Sequence, residues 1–344
     1  MSVENISYPP KAADALDDKA QHVLIYFIPG NPGLIGYYKP FLSALRDLLD
    51  SNASLGGVAF HIFGQNLLGF SDEDHDPPFS SRHNKPYDLE QQIEHTLRGL
   101  STQVRSVPNS SDDTTARSFD KVLLIGHSVG AFIALEACHR VLLDPTLSPD
   151  LNAKLGSGIL LFPTIDHIAD SPSGQKLDLL RRVPVLGPNA YRIARGFLRL
   201  WPYGWLHAFV SRVLGFPSHA AEVTTRWLKS RDGVWQSLYL GMDEMRLIRE
   251  DKWSDDLWEI QKSQDTHTKS PPRFYFFFGK NDHWVADHYR DQFIKKRAEK
   301  SAGDGNGNTT RVIIDESKIP HAFCIQHSEA VAQKVHDWIN DMFT

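Results

Sequence analysis

Short, continuous apolar runs alternate along the chain with longer stretches of helical spacing. Residues 22–28 (HVLIYFI), 58–63 (VAFHIF), 119–125 (FDKVLLI), 158–162 (GILLF), 274–278 (FYFFF) and 311–314 (RVII) are rich in β-branched and aromatic side chains and have the length of buried strands. Between them, residues 37–49, 89–104, 131–143, 285–297 and 328–342 have the spacing of amphipathic helices, with Ile93, Leu97 and Leu100 on one face of the second. Repeated strand–helix units predict a mostly parallel sheet with helices on both faces. The alternation breaks over residues 163–272, which read mostly helical. The chain is therefore expected to form an α/β core in two parts, residues 1–162 and 273–344, interrupted by a large helical cap insertion at 163–272. Polar stretches at 107–118 and 301–310 (SAGDGNGNTT) predict surface loops.

Composition narrows the function. Of 344 residues, 41% are hydrophobic and 23% charged, enough for a sizeable core. The net charge of −5, with both signs mixed, gives no basic surface for nucleic acid. Cys138 and Cys324 are too few for a disulfide framework and are expected to be reduced thiols in a cytosol-facing protein. The first twenty residues are polar and acidic, unlike a signal peptide, so the sequons at Asn5, Asn52, Asn109 and Asn308 are expected to stay unglycosylated. No run of about twenty apolar residues predicts a transmembrane helix.

The chemistry starts at Gly126-His127-Ser128-Val129-Gly130, a G-x-S-x-G turn between an apolar strand and an Ala-rich helix. Such a turn lifts a serine hydroxyl from the carboxyl end of the sheet, and the residues two before and two after it must be small. It also aims the Val129 N–H, at a helix N-terminus, toward a developing oxyanion. By composition alone the pattern arises about 0.1 times in a chain this long, and a serine that merely caps the helix is the competing explanation. A serine nucleophile needs a base, and the base needs a carboxylate to hold its tautomer. In the α/β-hydrolase fold the order is Ser, then acid, then His, each after a later strand. Asp282 follows the run at 274–278, and His321 follows the run at 311–314. His327 lies near His321. His283, Asp287 and Asp291 are spaced like a metal face but are read as a solvated helix surface, so no metal or cofactor is expected. The second oxyanion donor belongs to the loop after the first long strand, Gly30-Asn31-Pro32-Gly33. Pro32 has no N–H, which leaves Asn31 first and Gly33 second.

The insertion is aromatic and basic. Phe197, Trp201, Tyr203, Trp205, Phe209 and Phe216 fall within twenty residues, and no acidic residue occurs between Asp178 and Glu222, while Arg181, Arg182, Arg192, Arg195, Arg199 and Arg212 do. Pro202 and Gly204 split the segment into short helices, neither able to span a bilayer. Trp201, Trp205 and Phe209 either enter a membrane interface or line an acyl pocket. Both readings favour an apolar acyl substrate.

Taken in order, IPGNPG, QIEH at 92–95, LIGHSVGAF, LLFPTI followed by SPSG, YLGMDEM, FFFGKNDHW and KIPHAF resemble the lipid droplet-associated hydrolase family of α/β-hydrolases, over residues 23–340 or so. The resemblance implies the α/β-hydrolase fold, with nucleophile, acid and base at Ser128, Asp282 and His321. It implies a lipid ester hydrolase, acting on sterol esters or acylglycerols at lipid droplets and the endoplasmic reticulum membrane; the chain itself is expected to be a monomer. The loop at 301–310 and the segment 183–231 depart from the family pattern, so substrate choice and membrane mode stay open. The same triad would serve a thioesterase or an acyltransferase. A lipid-droplet scaffold protein would not need it intact.

Overall fold

A computed structural model describes residues 3–343 apart from 12–18, 81–82, 106, 108–117, 183–185, 251, 254–256, 258–272 and 304–309. Most of the predicted loop at 107–118, the centre of that at 301–310 and the end of the insertion lie outside the described residues.

Seven strands form one sheet: β1 (Asn5–Tyr8), β2 (Gln21–Ile28), β3 (Val58–Gln65), β4 (Lys121–His127), β5 (Leu155–Leu161), β6 (Arg273–Gly279) and β7 (Thr310–Asp315). Their order is β1-β3-β2-β4-β5-β6-β7. All neighbours are parallel except β1, which runs antiparallel to β3 with Ile6 opposite Gly64. The long central runs are buried on both faces, which is why they read as continuous apolar stretches. Strand β1 has only four residues, alternates exposed and half-buried positions, and was not expected from the sequence.

Helices α1 (Lys39–Ser51), α2 (Leu89–Gln103), α3 (Val129–Leu143), α4 (Pro149–Lys154), α10 (Asp287–Gly303) and α11 (Ser328–Phe343) connect or follow the strands. Helix α11 packs on α1, and α2 on α3. The first crossover leads from β2 to β3 on one side, and β4 pairs with β2 on the other, so the sheet reverses direction at β2 and β4. Open α/β sheets bind ligands outside the carboxyl ends of strands at such a point. Two boundaries differ from expectation. Strand β4 continues through Gly126 and His127 and α3 begins at Val129, so the turn is a single residue, Ser128. Helix α10 runs past Arg297 to Gly303, so part of the predicted loop at 301–310 is helical.

Between β5 and β6 lie α5 (Pro172–Arg182), α6 (Leu186–Arg199), α7 (Tyr203–Ala208), a π-helical turn (Phe209–Val213), α8 (Ser218–Lys229) and α9 (Gly233–Leu247). Helix α6 stops just before Pro202, which fits the break expected there. A small separate core of Leu206, Val210 and Ala221 holds α7 to α8, with Leu198 and Trp201 packed against it. Among the described residues no helix is long and apolar enough to cross a membrane.

Candidate active site

Ser128 sits at φ 55° and ψ −124°, a region that costs a non-glycine residue strain and that persists only where neighbours enforce it. Glycines make the turn possible. A Cβ on Gly126 would lie 2.4 Å from the Gly130 carbonyl oxygen, and one on Gly130 would lie 2.3 Å from the Ile28 carbonyl oxygen. The crowding therefore involves β2 as well as the two ends of the motif. The Ser128 N–H donates to the Leu161 carbonyl at 3.0 Å, tying the turn to the end of β5.

Adjacent strands deliver the other two groups. Asp282 follows β6 and His321 follows β7, where Asp315 accepts the Ile319 N–H at 3.1 Å and steadies the loop. His321 Nε2 lies 2.9 Å from Ser128 Oγ, and His321 Nδ1 lies 2.7 Å from Asp282 Oδ2. A carboxylate only accepts, so the neutral ring carries its proton on Nδ1 and turns the Nε2 lone pair to the serine hydroxyl. The other Asp282 oxygen accepts the Trp284 N–H at 2.8 Å. The structure thus brings Ser128, Asp282 and His321 into one hydrogen-bonded line. His327 does not join it; its N–H donates to Phe323, inside its own turn. Asp287 and Asp291 pair with Arg290 at 2.7 and 2.9 Å.

A second polar line, not anticipated from the sequence, runs behind the first. The Gly30 N–H donates to Tyr38 Oη at 3.0 Å, and Tyr38 Oη lies 2.7 Å from His127 Nδ1. His127 Nε2 lies 2.9 Å from the His321 carbonyl oxygen. That carbonyl can only accept, so Nε2 bears the His127 proton and Nδ1 accepts from the tyrosine. Burial, reinforced by nearby His321, holds the His127 pKa well below the ordinary histidine value, in keeping with a neutral ring. His127 therefore anchors the backbone of His321. Its place as the variable residue of the motif carried no sign of this.

Val129 follows the serine at the start of α3, and Asn31 lies in the loop after β2. Asn31 borders the same cavity as Ser128, and neither backbone N–H donates to another group among the described residues. Gly33 does not border this cavity; its carbonyl accepts the Leu67 N–H at 2.9 Å, and a Cβ there would meet the Leu67 side chain. The cavity above Ser128 measures about 330 Å³ and is walled by Tyr37, Ile168, Leu177, Phe216, Trp227, Met245, Trp284 and Ile325. Cys324 also borders it, but burial pushes that thiol up to about 12, so it is inert as a nucleophile. Both cysteines are buried and outside any disulfide. Glu244 of α9, from the YLGMDEM segment, also borders the cavity.

Comparison with known proteins places this arrangement. A family model for lipid-droplet associated hydrolases matches residues 21–324. The chain belongs to that family. The lipid droplet-associated hydrolase of Mus musculus is 28% identical over 326 residues, covering 92% of this chain and 85% of its own length. That of Homo sapiens is 27% identical over 331 residues, covering 94% and 86%. Among solved structures, a peroxisomal α/β-hydrolase of Saccharomyces cerevisiae superposes with a TM-score of 0.59 at 15% identity, covering 99% of this chain and 81% of that one. A laboratory-evolved potato epoxide hydrolase reaches 0.52 at 12% identity, covering 99% and 98%. These neighbours establish the α/β-hydrolase fold, and the family makes the chain a hydrolase.

Within this family member the cap aromatics divide. Phe216 and Trp227 line the cavity; Trp201, Trp205 and Phe209 do not. Trp205 is 73% exposed. Trp201 is half-buried over the small core and stacks edge-on with Phe209 at 5.6 Å. Ile193, Phe197, Leu200, Val213 and Leu214 are exposed on the same helices and turns.

Proposed function

We propose that this hydrolase cleaves carboxylic esters of lipids, sterol esters or acylglycerols, with Ser128 as nucleophile, His321 as general base and acid, and Asp282 as its orienting carboxylate. The observation that carries the reading is the hydrogen-bonded line from Asp282 through His321 to Ser128, ending in an apolar cavity. His321 Nε2 takes the Ser128 proton as Oγ attacks the ester carbonyl. The oxyanion forms between the N–H groups of Val129 and Asn31. Its collapse expels the alcohol, which takes the proton from His321 and leaves an acyl-serine. Water, deprotonated by the same imidazole, attacks the acyl-serine and releases the acid. Apolar walls accept the acyl chain and keep bulk water away from the ester.

The outer surface of the cap supports a membrane-surface place of action. An outward face carrying Phe197, Leu200, Trp205 and Val213, with arginines and no carboxylates from Leu186 to Pro217, suits the phospholipid surface of a lipid droplet or of the endoplasmic reticulum. On this reading residues 163–272 act as a unit, a cap that both roofs the cavity and docks the enzyme.

The test of the chemistry is labelling with a fluorophosphonate. Wild type should label and Ser128→Ala should not, with ester turnover falling roughly 10³-fold or more. Folding should survive the loss of one hydroxyl. Labelling that persists in the folded variant would remove Ser128 from its role.

A further inference from the structure

Most polar groups that border the cavity are already occupied. Tyr37 Oη lies 2.8 Å from Thr224 Oγ1, and Tyr38 Oη is held between Gly30 and His127. The Asn31 side-chain amide donates to the Ser237 carbonyl and to Glu244 Oε1, both at 3.0 Å. Ser128 and His321 serve the reaction. Asn31 Oδ1 and Trp227 Nε1 have no partner among the described residues. Glu244, only 4% exposed, is the one carboxylic acid bordering the cavity among the described residues, and there it is bonded through Oε1 alone. Among the described residues no lysine or arginine borders the cavity to neutralise it. Burying a carboxyl group with a valence unused is costly unless something fills that valence. Bracing Asn31 would need one oxygen, which a glutamine supplies at lower cost.

Resting on the serine hydrolase reading above, we infer that Glu244 is a substrate-recognition residue whose carboxyl hydrogen-bonds a hydroxyl carried by the ester near its scissile bond, so that the site favours monoacylglycerol-type esters over esters of plain alkanols. The position follows from Asn31, which joins Glu244 to the loop beside the ester carbonyl. The chemistry follows from burial, which pushes the Glu244 carboxyl up to about 8. At neutral pH it is a protonated acid, able to donate to a hydroxyl oxygen from inside an apolar wall. A site built to hydrogen-bond a hydroxyl discriminates against the analogue that lacks one.

Two substrates of matched skeleton test this: 1-decanoylglycerol and propyl decanoate. The wild type should show a kcat/KM about tenfold or more higher for the glycerol ester. Glu244→Leu should bring the ratio close to one, whereas Glu244→Gln, which retains donor and acceptor, should keep most of it. Fluorophosphonate labelling of each preparation reports whether the serine site is intact. Should the leucine variant fail to label, Glu244→Met, closer in shape, replaces it. A wild-type ratio near one, or an equal ratio in the wild type and a labelled apolar variant, overturns the inference while leaving the hydrolase reading in place. A wild type that does not label overturns that reading, and the inference with it.

Discussion

Asp282 spends both of its oxygens on the site, one on His321 Nδ1 at 2.7 Å and one on the Trp284 N–H at 2.8 Å. An asparagine there would keep its carbonyl on Trp284 and turn an NH₂ to Nδ1. The imidazole would then have to carry its proton on Nε2, facing Ser128 as a donor and unable to accept its proton. Asp282→Asn should therefore lower turnover by about 10⁴-fold with the fold intact. His321→Ala should cost a similar factor, and the double variant should be little worse than either, because residues acting as a unit do not lose activity additively. His327→Ala should be nearly silent. An active His321→Ala beside a dead His327→Ala would reassign the base. The positions of these three groups were legible because the fold sets their chain order and each follows an apolar strand. His127, Tyr38 and Glu244 were not, because their partners lie 8 to 213 residues away and nothing local marks the pairing.

Helix α9 shows how one element serves two ends. One set of its side chains reaches Tyr87 and the start of α2. Gln236 bonds both the N–H and the carbonyl of Tyr87 at 2.8 Å, and Asp243 accepts the Leu89 N–H at 3.0 Å. Asp232, at its N-cap, accepts from Arg231 Nε at 2.9 Å and lies 3.1 Å from His75 Nε2, whose Nδ1 lies 2.6 Å from Asp74. Gly241, Glu244 and Met245 face the cavity instead. The pinning is thus polar, and this explains why α9 lacks a strong apolar stripe and why the sequence showed a helical segment but not its attachment. Engagement of both His75 nitrogens by carboxylates requires the imidazolium. Burial alone would lower the His75 pKa, but the bonds to Asp74 and Asp232 and their charges outweigh it and leave the value raised. A raised folded value gives stability that is complete below the unfolded pKa of about 6.5 and fades as pH rises through the folded one. Thermal melts of wild type and His75→Gln should differ most near pH 6, by about 3 kcal/mol for a broken buried pair, and should converge toward pH 9. A gap that widens with pH would contradict the assignment.

For the whole molecule, the question is what the outer face of the cap meets. The cavity above Ser128 lies beneath α8 and α9, lined by Phe216, Thr224, Trp227 and Met245, while the exposed apolar residues sit on α6, on α7 and on the π-helical turn. Pocket and patch are therefore separable by mutation. Trp201 and Phe209, singled out in the sequence for their composition, are poor choices for that experiment: Trp201 packs on the small core and Phe209 packs on Trp201, so truncating them would loosen α7 as well. Phe197, Leu200 and Trp205, at 59%, 80% and 73% exposed, lie outside the small core; of the three, Phe197 alone has a ring contact with Trp201 among the described residues, at 6.0 Å. Each aromatic or leucine side chain moved from water into an acyl boundary contributes on the order of 1.5–3 kcal/mol. Replacing all three by serine should shift partitioning on artificial droplets coated with a phospholipid monolayer by more than a hundredfold, measured by flotation. Hydrolysis of a short-chain soluble ester should be unchanged, since none of the three borders the cavity. Retained flotation with intact soluble-ester turnover would place the docking surface elsewhere. Lost turnover with retained flotation would mean that the patch folds inward over the pocket in solution and that its aromatics hold the acyl chain.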